Sequence, residues 1–148
     1  MKSSGQPAST DEAVTQVAGL LAQLIGEAIL FNENVARALG MSAVDLQAFG
    51  VVARHDGPIT PTDLSAQTGL PASTTTRVLD RLEKGGYIAR SSVPADRRKI
   101  AVEVVEPKAA EVAQHYVGKI EQIKRLNAER TPADVAAVVS YLSDLAAS

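Results

Sequence analysis

Residues 71–105, PASTTTRVLDRLEKGGYIARSSVPADRRKIAVEVV, decide how the rest of the chain is read. Two periodicities meet in them. Over Ala72–Lys84 the residues Thr75, Val78, Leu79 and Leu82 share one face of a helix, while Ser73, Thr76, Arg77, Asp80, Arg81 and Lys84 share the opposite one. Gly85-Gly86 ends that helix. From Tyr87 the period becomes two: YIARSSV and KIAVEVV are rich in β-branched residues, and Ile100, Val102 and Val104 alternate with Lys99, Ala101 and Glu103. Two strands joined by a PADRR loop are predicted, with Arg97, Arg98 and Lys99 at the hairpin tip. Three adjacent cations are ordinarily a solvated loop; a hairpin tip directly after a polar-faced helix is a different setting.

On the N-terminal side, TPTDLSAQTG carries the start and stop of a short helix. Thr60 suits the N-cap, Pro61 the first helical position and Asp63 the first turn, and Gly69 closes it. That helix, the Leu70-Pro71 turn and helix 72–84 form a helix-turn-helix, and the hairpin behind it makes the arrangement a winged helix. Upstream, AVDLQAFGVVARH (43–55) places Leu46, Phe49, Val52 and Ala53 at helical spacing before Asp56-Gly57-Pro58 stops it.

Further out the chain is helical at both ends. Val14, Val17, Leu21, Leu24, Ala28, Phe31 and Val35 form a seam down a helix that Gly40 ends. At 1.5 Å per residue this helix is about 40 Å long, more than a small core requires. After the hairpin, 107–127 carry Val112, Tyr116, Ile120, Ile123 and Leu126, and Thr131-Pro132 starts a last helix with Val135, Val138, Leu142 and Leu145. These stripes exceed what a winged-helix core can cover, which suggests a symmetric helical dimer interface. The expected fold is mainly α with a small β-hairpin wing: residues 1–9 a mobile tail, 10–148 a single winged-helix domain, the lobe at about 43–105, and dimerisation helices at about 10–39 and 107–147.

Charge is distributed unevenly. The chain has 15 basic and 17 acidic residues, a net charge of −2. Residues 71–100 hold seven basic and three acidic side chains, so they carry +4 and the remainder −6. A single basic segment in an acidic chain is the pattern of a localised anion-binding surface. The absence of cysteine excludes disulfides, thiol switches and Cys-rich metal sites, and the two histidines stand far apart without ligand spacing. No GxSxG, P-loop or dinucleotide fingerprint is present, so neither an enzyme nor a cofactor or metal is expected. LLAQLIGEAILF is interrupted by Gln23 and Glu27 and the N-terminus lacks an apolar signal core, so a cytoplasmic protein without a membrane partner is expected.

The string TTRVLDRLEKGGYIAR followed by PADRR, within the segment from ALGMSAVDLQAF to DRRKI, resembles the MarR family of bacterial transcription regulators. The resemblance implies a homodimeric winged helix that binds double-stranded DNA at a pseudo-palindromic operator, as a repressor modulated by a small anionic or aromatic effector. It places helix 72–84 in the major groove, with Ser73, Thr74, Thr76 and Arg77 at the groove-facing positions and Arg81 at the position of the family's DRLE arginine. In the wing, Asp96, Arg97 and Arg98 fall on the family's Asp-x-Arg pattern: Arg98 would enter the minor groove oriented by Asp96, while Arg97 and Lys99 take phosphates. Thr75 stands where an aliphatic residue is common, Pro71 where a Ser cap is common, and VVEPKAAEV lacks the usual Leu-Thr-x-x-Gly. Asn32, Asn34, Arg37 and His55 are polar residues near the effector region, though local caps and solvation account for them more cheaply. The competing reading is a winged-helix module that binds other proteins, which would not require cations at both helix face and wing tip.

Overall fold

The structure is a computed structural model and describes residues 9–147. The expected tail at 1–9 lies outside the described residues except for Ser9, whose side chain caps the first helix by accepting from the Glu12 amide. The elements are α1 (Thr10–Ala38), α2 (Ala43–Arg54), α3 (Pro61–Thr68), α4 (Ala72–Lys84), β1 (Ile88–Val93), β2 (Asp96–Val104), α5 (Glu106–Gln114), α6 (Val117–Ala128) and α7 (Pro132–Ala147). They separate into two compact units, one ending at Val105 and the other beginning at Glu106.

Local chemistry accounts for the helix ends. At the start of α3, the Asp63 amide donates to Thr60 Oγ1 at 3.2 Å and the Thr60 hydroxyl donates to Asp63 Oδ2 at 2.7 Å, with Pro61 in the first turn. At the end of α4, Gly86 takes φ +76, the Tyr87 amide reaches back to the Leu82 carbonyl and the Gly86 amide to Glu83, both at 2.9 Å. This double bond pattern is a Schellman motif and satisfies carbonyls that the helix leaves open. Gly40, at φ +69, ends α1 the same way through Met41 to Ala36 and Gly40 to Arg37.

The core of the first unit is built by α2, α3, α4 and the hairpin. Ile59, Leu64, Val78, Leu79, Leu82, Ile88 and Val102 are almost wholly buried, joined by Leu46, Phe49 and Val52 of α2 and by Val35 and Ala36 at the end of α1. The Phe49 and Tyr87 rings meet edge to face at 6.0 Å, and the Tyr87 hydroxyl donates to the Leu39 carbonyl at 3.2 Å, so the residue that leads into the hairpin is tied to the end of α1. Thr75 sits in this core without penalty because its hydroxyl donates to the Pro71 carbonyl at 3.2 Å.

The sheet differs from the sequence expectation in two ways. Only Pro94 and Ala95 form the turn; Asp96, Arg97 and Arg98 belong to β2 instead of a PADRR loop. In addition, Ile59 makes a two-way backbone bridge to Val102, its N–H donating to the Val102 carbonyl at 3.0 Å and the reverse bond at 2.8 Å. The segment before α3 thus adds a one-residue third strand, which locks the hairpin to the helix-turn-helix.

The second unit also departs from expectation. The single helix predicted over 107–127 is two helices, α5 and α6. At the break the His115 and Tyr116 amides bond to carbonyls three residues back, Val112 and Ala113, a tighter winding that cannot continue an α-helix. The start at Thr131-Pro132 is as predicted, with the Thr131 hydroxyl and Asp134 capping each other.

Large apolar side chains remain exposed on α1 (Leu20, Leu24, Ile25, Ile29, Leu30), on α6 (Ile120, Ile123, Leu126) and on α7 (Val138, Val139, Tyr141, Leu142). By length and composition alone α1 is long and apolar enough to cross a membrane, its most apolar 18-residue window having a mean hydropathy of 1.6. It keeps a polar strip in which Gln23 Nε2 donates to Glu27 Oε1 at 2.8 Å.

Candidate nucleic-acid interface

The helix α4 divides as its sequence period requires. Thr75, Val78, Leu79 and Leu82 are buried; Ser73, Thr76, Arg77 and Lys84 are exposed, and Thr74 is half-buried. The Thr76 hydroxyl donates to the Ala72 carbonyl at 3.0 Å, leaving its oxygen to accept from outside. Pro71 caps α4 without any side-chain hydrogen bond, and no acidic residue stands in the first turn. The turn before it is stitched instead by hydroxyls: Ser65 Oγ donates to the Leu70 carbonyl, and Thr68 Oγ1 accepts from the Leu70 amide at 3.3 Å.

The wing presents its cations through an irregularity of the ladder. Ser92 pairs with Ile100, but the next residue, Val93, pairs with Asp96. Arg97, Arg98 and Lys99 therefore have no opposite number on β1 and form a bulge three residues long. All three are exposed, Arg98 with 97% of its side chain accessible. Asp96 Oδ1 accepts the Arg98 backbone N–H at 3.1 Å, a local turn that sets the bulge, whereas the Arg98 guanidinium Nε is 3.9 Å from the same oxygen. Asp96 thus holds the backbone of Arg98 by a hydrogen bond and its guanidinium only by a longer ion pair, in place of the expected charge-assisted hydrogen bond.

Helix and wing are brought to one structural neighbour, the first turn of α3. Pro61 and Thr62 line a groove of about 390 Å³ with Arg98, Lys99 and Ile100, and a second of about 560 Å³ with Ala72 and Thr76 at the start of α4.

Two arginines of the basic segment are engaged within the protein. Arg81 donates through Nε to Asp45 Oδ2 at 2.9 Å and through Nη2 to Oδ1 at 2.7 Å. The Asp45 carboxylate is 5% exposed and the Arg81 side chain 53%. These hydrogen bonds, more than the bare attraction of the charges, raise the Arg81 guanidinium above its already high value. Arg90 of β1 donates to Asp80 Oδ1 at 2.7 Å and to Glu83, and the Asp80 and Glu83 hydrogen bonds raise it likewise. Arg77, Arg97 and Lys99 make no ion pair among the described residues.

Sequence reasoning missed Asp45 as a member of the site. Its signal was present: 45, 49 and 52 fall on one helical face with Phe49 and Val52, so a carboxylate there points inward and demands a cation. Arg37 and Asn34 pair with each other at 3.0 Å, and His55 Nδ1 lies 2.9 Å from the Gly57 carbonyl, so these polar residues are locally engaged.

Residues 39–99 match the model of the MarR family. The HTH-type transcriptional regulator YcgE of Bacillus subtilis is 39% identical over 74 residues, covering 50% of this chain and 47% of that protein. The HTH-type transcriptional repressor YetL of the same organism is 27% identical over 90 residues, covering 61% and 54%. The chain thus spans about half the length of these relatives. Among solved structures, Streptococcus pneumoniae FabT in complex with DNA superposes with a TM-score of 0.69 at 18% identity, over 89% of this chain and 94% of FabT. A MepR mutant from a multidrug-resistant S. aureus isolate gives 0.76 at 14%, over 88% and 95%. At these identities the likeness is one of fold.

Proposed function

We propose that this chain, whose residues 39–99 match the MarR family, is a DNA-binding transcriptional regulator acting as a cytoplasmic homodimer. One observation carries the reading: an acidic chain gathers outward-facing cations at two places, Arg77 on the exposed face of α4 and Arg97, Arg98 and Lys99 in the wing bulge. A surface of that kind suits a duplex that offers phosphates on both sides of a groove. Ser73, Thr74 and Thr76 face base edges from α4, and Arg81 lies further along the same helix. Arg77, Arg97 and Lys99 take phosphates, and Arg98, held at its backbone by Asp96, reaches into the adjacent minor groove. The Ser73 and Thr74 hydroxyls both donate and accept and Thr76, its proton held by the Ala72 carbonyl, only accepts, so direct base discrimination by these three is modest and groove shape contributes.

The dimer rests on the exposed apolar faces of α1, α6 and α7, which a monomer leaves in water. Two-fold symmetry demands a pseudo-palindromic operator with half-site centres about 10 bp apart. Repression is favoured by the relative named a repressor, and a small-molecule effector would act through its different affinity for two dimer states. The chain acts without catalysis.

The test is a gel-shift of the protein against its own upstream intergenic region across a salt series. Binding of a discrete fragment, weakening by about 0.9 in log K per log salt for each phosphate contacted, supports the reading. Failure to retard any duplex at low salt, with capture of a protein partner instead, would transfer the fold to a protein-binding role.

A further inference from the structure

Adjacent residues of α4 are held by different neighbours. Asp80 accepts from Arg90 of β1, while Arg81 is grasped from below by Asp45 of α2, 36 positions away in the chain. Arg77, one turn earlier, is exposed and unpaired among the described residues. Two arginines four residues apart on the same helix therefore present different chemistry. Arg77 offers a full positive charge on a side chain free to move. Arg81 offers a guanidinium whose charge is balanced by a buried carboxylate and whose orientation is set by two bonded nitrogens, with half of its side chain still facing solvent.

For a protein that binds DNA, the role proposed for this chain and the one on which the inference rests, that difference separates affinity from selectivity. Affinity for the phosphate backbone comes from cations that displace condensed counterions, and a cation already neutralised by the protein displaces few. A guanidinium fixed in place retains its value as a hydrogen-bond donor, because a donor that cannot swing rewards only an acceptor at the matching position. We propose that Asp45 is a specificity-determining residue: by neutralising and orienting Arg81 from within the core, it converts that arginine from a general phosphate contact into a position-selective hydrogen-bond donor. Asp45 never touches the ligand; it is a positioning residue that acts through Arg81.

The experiment uses a duplex selected by the wild-type protein from a randomised pool and a scrambled duplex of the same length, with anisotropy titrations over a salt series from about 50 to about 200 mM. In Asp45→Asn the guanidinium regains a free charge and loses its seat. The salt slope on both duplexes steepens by about 0.9 per protomer. The preference for the selected duplex falls several-fold. A merely structural role would lower the active fraction and leave the slope unchanged. Because a lone substitution in a buried pair can compromise folding, the double variant Asp45→Asn with Arg81→Met removes both charges together. It keeps the wild-type slope and loses the preference. An unchanged slope and preference in Asp45→Asn, or a double variant whose slope is shallower by about 0.9 per protomer, overturns the proposal. Wild-type protein that favours no selected duplex overturns the DNA-binding reading itself.

Discussion

The Asp96 carboxylate accepts the backbone N–H of Arg98 at 3.1 Å and stands 3.9 Å from its guanidinium Nε, so the acid shapes the wing and leaves the arginine to point outward. A side-chain acceptor two residues before a bulged amide fixes the backbone by a hydrogen bond, while the charge that the bulge displays is held only by the longer ion pair and stays exposed. Two substitutions separate these roles. Arg98→Ala weakens specific binding by about 1–3 kcal/mol per contact, counted per protomer. Asp96→Asn, which retains an acceptor oxygen, keeps most of the affinity, whereas Asp96→Ala loses it by loosening the bulge. Titrations at one fixed salt concentration check the order; Asn and Ala variants of equal weakness would show that the charge of Asp96 matters and the amide bond does not.

Gly86 closes α4 at φ +76, in open space with no atom near an added Cβ, so the cost of Gly86→Ala is conformational alone. A destabilisation of about 1 kcal/mol is expected. At Gly85 the backbone is ordinary, but an added Cβ would stand 2.9 Å from the Tyr87 ring, which is buried against Phe49. Gly85→Ala should therefore cost more than Gly86→Ala, because a packed ring must shift. Urea unfolding of the two variants measures the order.

The exposed apolar residues of α1, Leu20, Leu24, Ile25, Ile29 and Leu30, predict association; of the seam expected from Val14 to Val35, Val17, Leu21 and Phe31 are half-buried and Val35 is buried. Sedimentation equilibrium at micromolar concentration should give a dimer. Leu24→Lys, at a position exposed in the single chain, should shift it toward monomer while the helical circular dichroism of the first unit survives. A wild-type monomer at that concentration would refute the predicted dimer.

Asp134 caps α7, and hydrogen bonds from the Thr131 hydroxyl and then its amide lower the carboxyl below its ordinary value. A carboxyl depressed by folding contributes stability above its unfolded value, and the contribution disappears as pH falls through the lower, folded value. Thr131→Ala should therefore return Asp134 upward toward the ordinary carboxylate range, read by NMR titration of its side chain. It should also remove the hydroxyl's share of this capping contribution at neutral pH, the bond from the backbone N–H remaining.

Much of the architecture was legible in the chain because its determinants are local. Thr60, Pro61 and Asp63 start α3 through bonds spanning three residues, Gly69 and Gly86 close helices at positive φ, and the change of period at Tyr87 marks where helix gives way to strand. The polar face of α4 follows from a helical rotation of about 100° per residue. Each of these signals lies within one or two turns of the residue it governs.

Local rules of this kind dictate the order of elements, their caps and the side of α4 that carries hydroxyls and cations. Which of those cations are free was left to packing. The partners of Arg81 and Arg90 depend on how α2 and β1 lie against α4, and Asp45 is 36 residues from Arg81, beyond the reach of any local rule. The bulge at Arg97–Lys99 likewise depends on cross-strand register, and the Ile59–Val102 bridge on a contact between segments 43 residues apart. Such pairings are settled by the shape of the assembled core, where a buried carboxylate must find a cation and a backbone amide must find a carbonyl; for Arg81 with Asp45 and Ile59 with Val102 the partners lie too far apart in the chain for any local pattern to join them.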